Sequence, residues 1–199
     1  MPRDEIGRPN QRLRTRKDLL EAALKLSAQG HQPSLEDIAE AAMVSRATAY
    51  RYFPSSEALL AEASLHVAFP DPAELFANAS ADGPAERVKL LDEATSAMVA
   101  SNEAALRVMI SSSARQALAR PGIPARQNRR SPAIEAALEP FRAQFEPAQY
   151  DLLKKALALV IGTESMLVFK DVLGLSEQDA RAVRRWTIDA LVAKASKKP

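Results

Sequence analysis

Apolar residues recur at helical spacing along most of the chain, and alternating runs of β-branched residues are missing. The first such stretch covers residues 11–28, and two long ones close the chain at residues 147–173 and 177–194. Prolines stand near the ends of these stretches, where a residue without a backbone N–H is tolerated. The pattern predicts an all-α protein.

Two short helices are predicted close together, at residues 35–42 and 46–53. Ser34 and Ser45 precede them, and a serine hydroxyl at this position can cap free backbone amides. Pro54 ends the second helix. The positions that face between the helices are small or medium apolar residues: Ile38, Ala39, Ala42, Val44 and Ala49. This arrangement predicts a helix-turn-helix, whose second helix enters the major groove of DNA.

The second helix of this pair begins with groups that tolerate bases and phosphates nearby. Arg46 is the long donor at its leading edge, and an arginine can bind guanine N7 and O6 together. The helix N-terminus also favours a phosphate anion. Tyr50, Arg51 and Tyr52 add donors for phosphate oxygens. DNA binding is one interpretation of this segment, and a plain surface pair of helices is the other.

The net charge of +2 is unevenly distributed. Residues 1–17 carry six basic and two acidic side chains, whereas the chain from residue 54 onward is close to neutral. A short basic arm on a near-neutral body is typical of a protein that binds a polyanion. A solvated terminal tail can have the same composition.

The composition argues against several other classes of protein. There is no cysteine, which excludes disulfides and thiolate chemistry, and the two histidines lie far apart, so we expect no metal site and no cofactor. Glu-x-x-His, G-x-S-x-G and Walker patterns are absent, so we expect no enzyme. No apolar run reaches the roughly 18 residues of a membrane span, and the start lacks the apolar core of a signal peptide. A cytoplasmic protein without membrane contact is expected.

The segment from Ser34 to Ala63, SLEDIAEAAMVSRATAYRYFPSSEALLAEA, resembles the N-terminal domain of the tetracycline-repressor (TetR) family. The resemblance covers about residues 11–65 and rests on elements in matching order and spacing: Ile38 with Ala39, Ala42, Val44 with Ser45, Thr48, Tyr50, Phe53 and residues 57–60. It implies a three-helix DNA-binding domain followed by a larger helical bundle for ligand binding and dimerisation. The division implied is 1–53 for the basic arm and helix-turn-helix, 54–83 for a connecting helix and linker, and 84–199 for the bundle.

The resemblance also implies roles for single residues. Arg46 and Ala47 are expected to face bases, and Arg51 bases or backbone. Phosphate contacts are implied for Ser34, Thr48, Tyr50 and Tyr52. Ser45, at the start of the reading helix, also belongs to the predicted DNA-binding set, because it is a group that tolerates nearby bases and phosphates.

Three positions depart from the family pattern. Met43 stands where glycine is usual in the turn, and a left-handed conformation there costs Met about 1 kcal/mol or more, so we expect a slightly different turn. Ser56, kept in the predicted DNA-binding set, stands where a phosphate-binding lysine is usual, and Glu36 stands where some members read a base. We expect Arg12 and Arg14 in the basic arm to compensate for the lysine. Arg14→Ala should then lower operator affinity and flatten its salt dependence, and an unchanged salt slope would contradict this.

The resemblance implies that the last two long helices pair with those of a second copy, although their apolar residues can equally form the core of one chain. It further implies a small-molecule effector, expected to be largely apolar, bound in the bundle. The candidate lining residues are apolar, aromatic or sulfur-containing: Met98, Met109, Phe141, Phe145, Met166, Phe169 and Trp186. The same residues at helical spacing can be ordinary core.

We therefore predict a dimeric transcriptional regulator, a repressor rather than an activator, which binds a palindromic operator and is released by its effector. The alternatives are a helical interaction protein, or an enzyme built on a helical bundle, with a vestigial DNA-binding domain. Glu36, Met43 and Ser56 are the residues that favour these alternatives.

Overall fold

The computed structural model describes residues 4–29, 32–77, 83–119 and 126–197, with side chains from residue 11 onward. Within these ranges there is no β-strand, and the single isolated bridge joins Phe145 to Ser196. The predicted all-α class is confirmed. None of the described helices is long and apolar enough to cross a membrane.

The described residues form helices of very different length. In chain order they are α1 (Asp4–Ser27), α2 (Leu35–Ala41), α3 (Arg46–Tyr52), α4 (Ser56–Ala68), α5 (Pro72–Ala77), α6 (Pro84–Ser101), α7 (Glu103–Ala119), α8 (Arg130–Leu138), α9 (Pro147–Val160), α10 (Thr163–Met166) and α11 (Glu177–Ala195). A 3₁₀ turn at Glu139–Gln144 follows α8, and a π-helical turn at Leu167–Val172 follows α10.

The chain divides into two compact units that do not follow sequence order. The first unit contains Met1–Ala68 and Asn102–Gln127, and the second contains Phe69–Ser101 and Asn128–Pro199. Helix α7 therefore packs with the N-terminal helices, where it lies against α4. The division into functional segments at residues 53 and 83 stays a prediction.

The core of the first unit is built from the apolar faces of α1 to α4. Its buried members are Leu19, Leu20, Ala22, Ala23, Leu35, Ile38, Ala39, Ala49, Tyr52, Phe53, Leu59 and Ala63. An ion pair crosses this core, since Arg16 on α1 and Glu62 on α4 are only 1% and 2% exposed. The two guanidinium–carboxylate contacts measure 3.0 and 2.5 Å, and Arg16 also donates to the Tyr52 carbonyl at 3.3 Å. This pair ties α1, α3 and α4 together.

The core of the second unit is formed by α6, α8, α9 and α11. Its buried members include Val88, Leu91, Ile134, Leu138, Phe145, Tyr150, Leu153, Leu157, Ile161, Ile188 and Val192. A second buried ion pair joins Asp92 on α6 to Arg184 on α11 at 3.0 Å, and Arg184 also donates to Glu177 at 2.7 Å. Burial raises the pKa of the Asp92 carboxyl, although the Arg184 charge opposes this shift.

The predicted continuous helix over residues 147–173 is wrong, because α9 ends at Val160. Gly162 has φ 118°, a backbone conformation outside the helical region and accessible mainly to glycine. The guanidinium of Arg130 lies 2.6 Å from the place where a Cβ on Gly162 would be, and it pairs with Glu164. Arg130 is therefore a half-buried structural residue of α8, whereas the basic composition of residues 120–131, with its prolines and glycine, predicts a solvated loop.

Other boundaries shift less. Helix α1 begins at Asp4, inside the segment predicted to be a basic arm, and the short helix α5 lies within residues 54–83, where a connecting helix and linker are predicted. Helix α8 changes to a 3₁₀ turn after Leu138, where Pro140 removes a backbone donor. A glycine just after a helical stretch is a common helix stop, which predicts that the first helix ends at Gly30, but this residue lies outside the described residues.

Candidate nucleic-acid interface

Helix α2 begins with a reciprocal cap between Ser34 and Asp37. The Ser34 Oγ accepts the Asp37 amide at 3.2 Å, and the Asp37 carboxylate accepts the Ser34 amide at 2.9 Å. The Ser34 hydroxyl also donates to that carboxylate at 2.7 Å. These bonds hold the pKa of Asp37 below its ordinary value. Ser34 is exposed at this helix start, where it was predicted to contact phosphate.

The turn between α2 and α3 contains Met43 in the left-handed conformation, with φ 54°. Its side chain is 93% exposed, so no packing compensates for the unfavourable backbone geometry. The Met43 amide donates to the Glu40 carbonyl at 2.9 Å, and the Val44 amide to the Ala39 carbonyl at 3.0 Å. Met43 thus adopts the left-handed conformation that a glycine at this position would supply. The slightly different turn expected from the sequence is not seen.

Helix α3 is anchored on one side and exposed on the other. Ser45 caps it, since its Oγ accepts the Thr48 amide at 3.1 Å and lies 2.9 Å from the Thr48 hydroxyl. Ala49 is fully buried against the core of the first unit. Arg46, Ala47 and the side chains one turn further along are exposed, namely Tyr50 and Arg51. The exposed residues include both of the predicted base-facing ones.

Arg46 does not stand alone at the leading edge of α3. Its Nε lies 2.7 Å from Glu36 Oε1 on α2, and the Tyr50 hydroxyl donates to the same oxygen at 3.2 Å. The Arg46 guanidinium also lies 5.6 Å from the centre of the Tyr50 ring. Glu36 thus holds two of the predicted DNA-binding side chains. From the sequence, Glu36 is expected only to read no base. The spacing of residues 36 and 50 along the chain gives no sign that their side chains meet.

Tyr52 is the member of the predicted set whose position does not fit. It is 2% exposed and belongs to the core of the first unit, so it does not present its hydroxyl to a phosphate in this conformation. Its neighbour Phe53 is equally buried and lies 4.3 Å beneath the Arg16 guanidinium. Residues 52 and 53 therefore fix the end of α3.

The remaining predicted residues lie in the same unit but on other elements. Arg14 is exposed on α1, and Ser56 is half-buried at the start of α4. Ser55, directly before it, caps α4 by accepting the Ala58 amide at 3.2 Å. The roles of the predicted DNA-binding residues stay predictions.

The residues predicted to line an effector pocket are distributed over both units. Met109 is buried on α7 in the first unit, and the others lie in the second. Phe145 belongs to the core of that unit, Phe141 packs against it, and Trp186 is 72% exposed. Met98, Met166 and Phe169 are half-buried. A common pocket for these seven residues stays a prediction. Among the described residues no group of three His, Asp or Glu side chains could hold a metal ion.

Helices α2 and α3, joined by a tight turn and packed on α1 and α4, form a helix-turn-helix, which defines a DNA-binding module. Residues 19–63 match the sequence profile of the bacterial regulatory proteins of the tetR family. The match places residues 19–63, which hold the helix-turn-helix and parts of its flanking helices, in the DNA-binding domain of that family. The crystal structure of a TetR transcriptional regulator from Rhodococcus sp. RHA1 is similar with a TM-score of 0.46 and 20% identity, covering 90% of this chain and 96% of that one. No curated protein matches the chain.

Proposed function

We propose that this regulator is a repressor that binds a palindromic operator as a dimer and leaves it when a small molecule binds. The observation that carries the proposal is the exposed start of α3, with Arg46 and Ala47 on a helix anchored by buried Ala49. A helix of this kind can enter a major groove while its opposite face stays in the protein core. The protein acts by binding rather than catalysis, in the cytoplasm, where bacterial DNA is accessible to it.

A dimer is supported by apolar side chains that the single chain leaves exposed in its second unit. On α9 these are Leu152 and Leu159, which lie on one face two turns apart, and on α11 they are Val183 and Trp186. Helices α9 and α11 pack against each other, so both faces belong to one unit. Exposed apolar surface favours association in water. Two copies then present two reading helices, as a palindrome requires.

Effector binding is supported by two polar atoms buried in the second unit. Asp92 Oδ1 and Thr95 Oγ1 lie one turn apart on α6 and have no hydrogen-bond partner among the described residues. Buried polar atoms normally have a partner. Met98, from the predicted lining set, lies a further turn along the same helix. A largely apolar effector with one hydrogen-bonding group would fit this combination.

The test is selection of DNA from a random library by the purified full-length protein. Enrichment of a two-fold symmetric sequence is expected. Arg46→Ala should then lower the affinity for the selected duplex by about 1–3 kcal/mol and relax the sequence preference at one position of each half-site. Failure to enrich any sequence would refute the DNA-binding proposal and favour a helical interaction protein.

A further inference from the structure

The helix-turn-helix carries little positive charge of its own. Residues 34–56 contain two basic side chains, Arg46 and Arg51, against three acidic ones, Glu36, Asp37 and Glu40. Arg46 is moreover paired with Glu36. Because contacts between cationic side chains and phosphates supply much of the affinity for DNA, another part of the first unit has to contribute cations.

A cavity of about 520 Å³ lies next to the end of α3. It is bounded by the last residues of α3, the turn that leads into α4 and the last turns of α7, and all of these belong to the first unit. The lining residues are Tyr50, Arg51, Tyr52, Phe53, Pro54, Ser55, Arg115, Gln116 and Ala119. This size lies in the range of ligand-binding cavities in proteins.

Helix α7 is bonded directly to the reading helix at this cavity. Gln116, which is buried, donates from Nε2 to the carbonyl of Arg51 at 3.4 Å. Arg115 is the preceding residue of α7 and is exposed at the cavity. The hydrogen bond from Gln116 therefore holds α7 next to the end of α3. In this position Arg115 and Arg51 line the same cavity.

The chemistry of the lining favours an anion. Two arginines, Arg51 and Arg115, line the cavity, and its described lining contains no acidic residue. Arginine forms paired hydrogen bonds with phosphate oxygens. We propose that this cavity is a phosphate-binding site and that Arg115 binds a phosphate of the operator backbone there.

A backbone phosphate fits the position better than a free anion. Tyr50 and Arg51 belong to the exposed side of α3, and Ser55 stands directly before Ser56, where the family resemblance expects a phosphate-binding lysine. Arg115 brings a cation from α7 to this end of the reading helix. The inference rests on the proposed DNA binding, so the test contains one arm with DNA and one without.

The DNA arm measures fluorescence anisotropy of the selected duplex and of a scrambled duplex over a series of potassium chloride concentrations. Arg115→Ala should weaken binding to both duplexes by a similar factor, about fivefold, and reduce the salt slope by about one per protomer. Arg115→Lys should retain most of the affinity, because it keeps the charge. Arg107→Ala is the matched control on the same helix, because Arg107 pairs with Glu103 and does not line the cavity.

The second arm titrates inorganic phosphate against the DNA-free protein at constant ionic strength and follows its melting temperature. One outcome is that phosphate raises the melting temperature of the wild type but not of Arg115→Ala, while the variant binds DNA as the wild type does. This result would assign the cavity to a free anion and overturn the contact with the DNA backbone. If Arg115→Ala loses neither the stabilisation by phosphate nor affinity for DNA, the proposed phosphate site is overturned altogether. If the wild type binds no duplex, the proposed function fails, and the phosphate titration still decides whether the cavity is a phosphate site.

Discussion

At the residue scale, Glu36 on the surface of the helix-turn-helix holds the side chains of Arg46 and Tyr50, two of the predicted DNA-binding residues. Glu36 forms an ion pair with Arg46 and accepts a hydrogen bond from Tyr50, and all three side chains are at least partly exposed. An exposed ion pair contributes only about 0–1 kcal/mol, so bases and phosphates can compete for Arg46. Glu36 therefore acts as a replaceable partner that holds two predicted DNA-binding residues before DNA arrives.

Replacing Glu36 by glutamine should raise the affinity for a scrambled duplex, because it removes a negative charge from the DNA-facing surface and releases Arg46. Anisotropy titrations at constant salt measure the effect. Glu40→Gln is the matched control, since it removes one charge from the same helix. Equal effects of the two variants would show that the pairing with Arg46 has no part in DNA binding.

The buried pair of Arg16 and Glu62 makes a residue-scale prediction for stability. Glu62→Gln leaves the Arg16 guanidinium, 1% exposed, without its countercharge. The free energy of unfolding should fall by about 3–5 kcal/mol. Urea denaturation followed by circular dichroism checks this value. Glu57→Gln, an exposed change on the same helix, should alter stability by less than about 0.5 kcal/mol, and similar losses in both variants would contradict the buried role.

At the scale of elements, short helices depend on their ends. Helices α2 and α3 have seven residues each, which is too short for a helix to be stable by itself in water. Serine caps satisfy free amides at their starts, and Leu35, Ile38 and Ala49 bind them to the core. The turn at Met43 is the unfavourable part of this segment.

Met43→Gly should stabilise the protein by about 1 kcal/mol, because glycine adopts the left-handed conformation without steric penalty. The exposed Met side chain contributes little packing that could be lost. Thermal denaturation of the two proteins measures the difference. Met43→Ala is the control, since it shortens the side chain and keeps the strain. A gain as large in Met43→Ala would show that strain is not the cause.

At the scale of the whole molecule, the proposed dimer determines whether two reading helices can act together. Trp186→Asp places a charge on the exposed apolar face of α11. The variant should sediment as a monomer at concentrations where the wild type is a dimer, and its affinity for the symmetric duplex should fall at least tenfold. Val67→Asp, at an exposed apolar position on α4, is the control for a surface charge and should remain dimeric. A dimeric Trp186→Asp would place the interface elsewhere.

The agreement between sequence and structure differs from element to element. The all-α class and the pair α2 and α3 were predictable, because apolar periodicity and serine caps are local properties of the chain. The break at Gly162 was missed because a glycine within an apolar run is compatible with a helix until a distant side chain, Arg130, occupies the space beside it. Tyr52 was placed at the DNA surface by resemblance, whereas packing against α1 and α4 buries it.

The sequence by itself determined the all-α class, the helix-turn-helix and the exposed start of α3, since these follow from residues close together in the chain. Only the tertiary structure decided which groups meet across long separations: Glu36 with Tyr50, Arg16 with Glu62, and α7 with the end of α3. Such contacts depend on how helices pack, and hydrophobic periodicity indicates which face of a helix is buried but not which helix covers it.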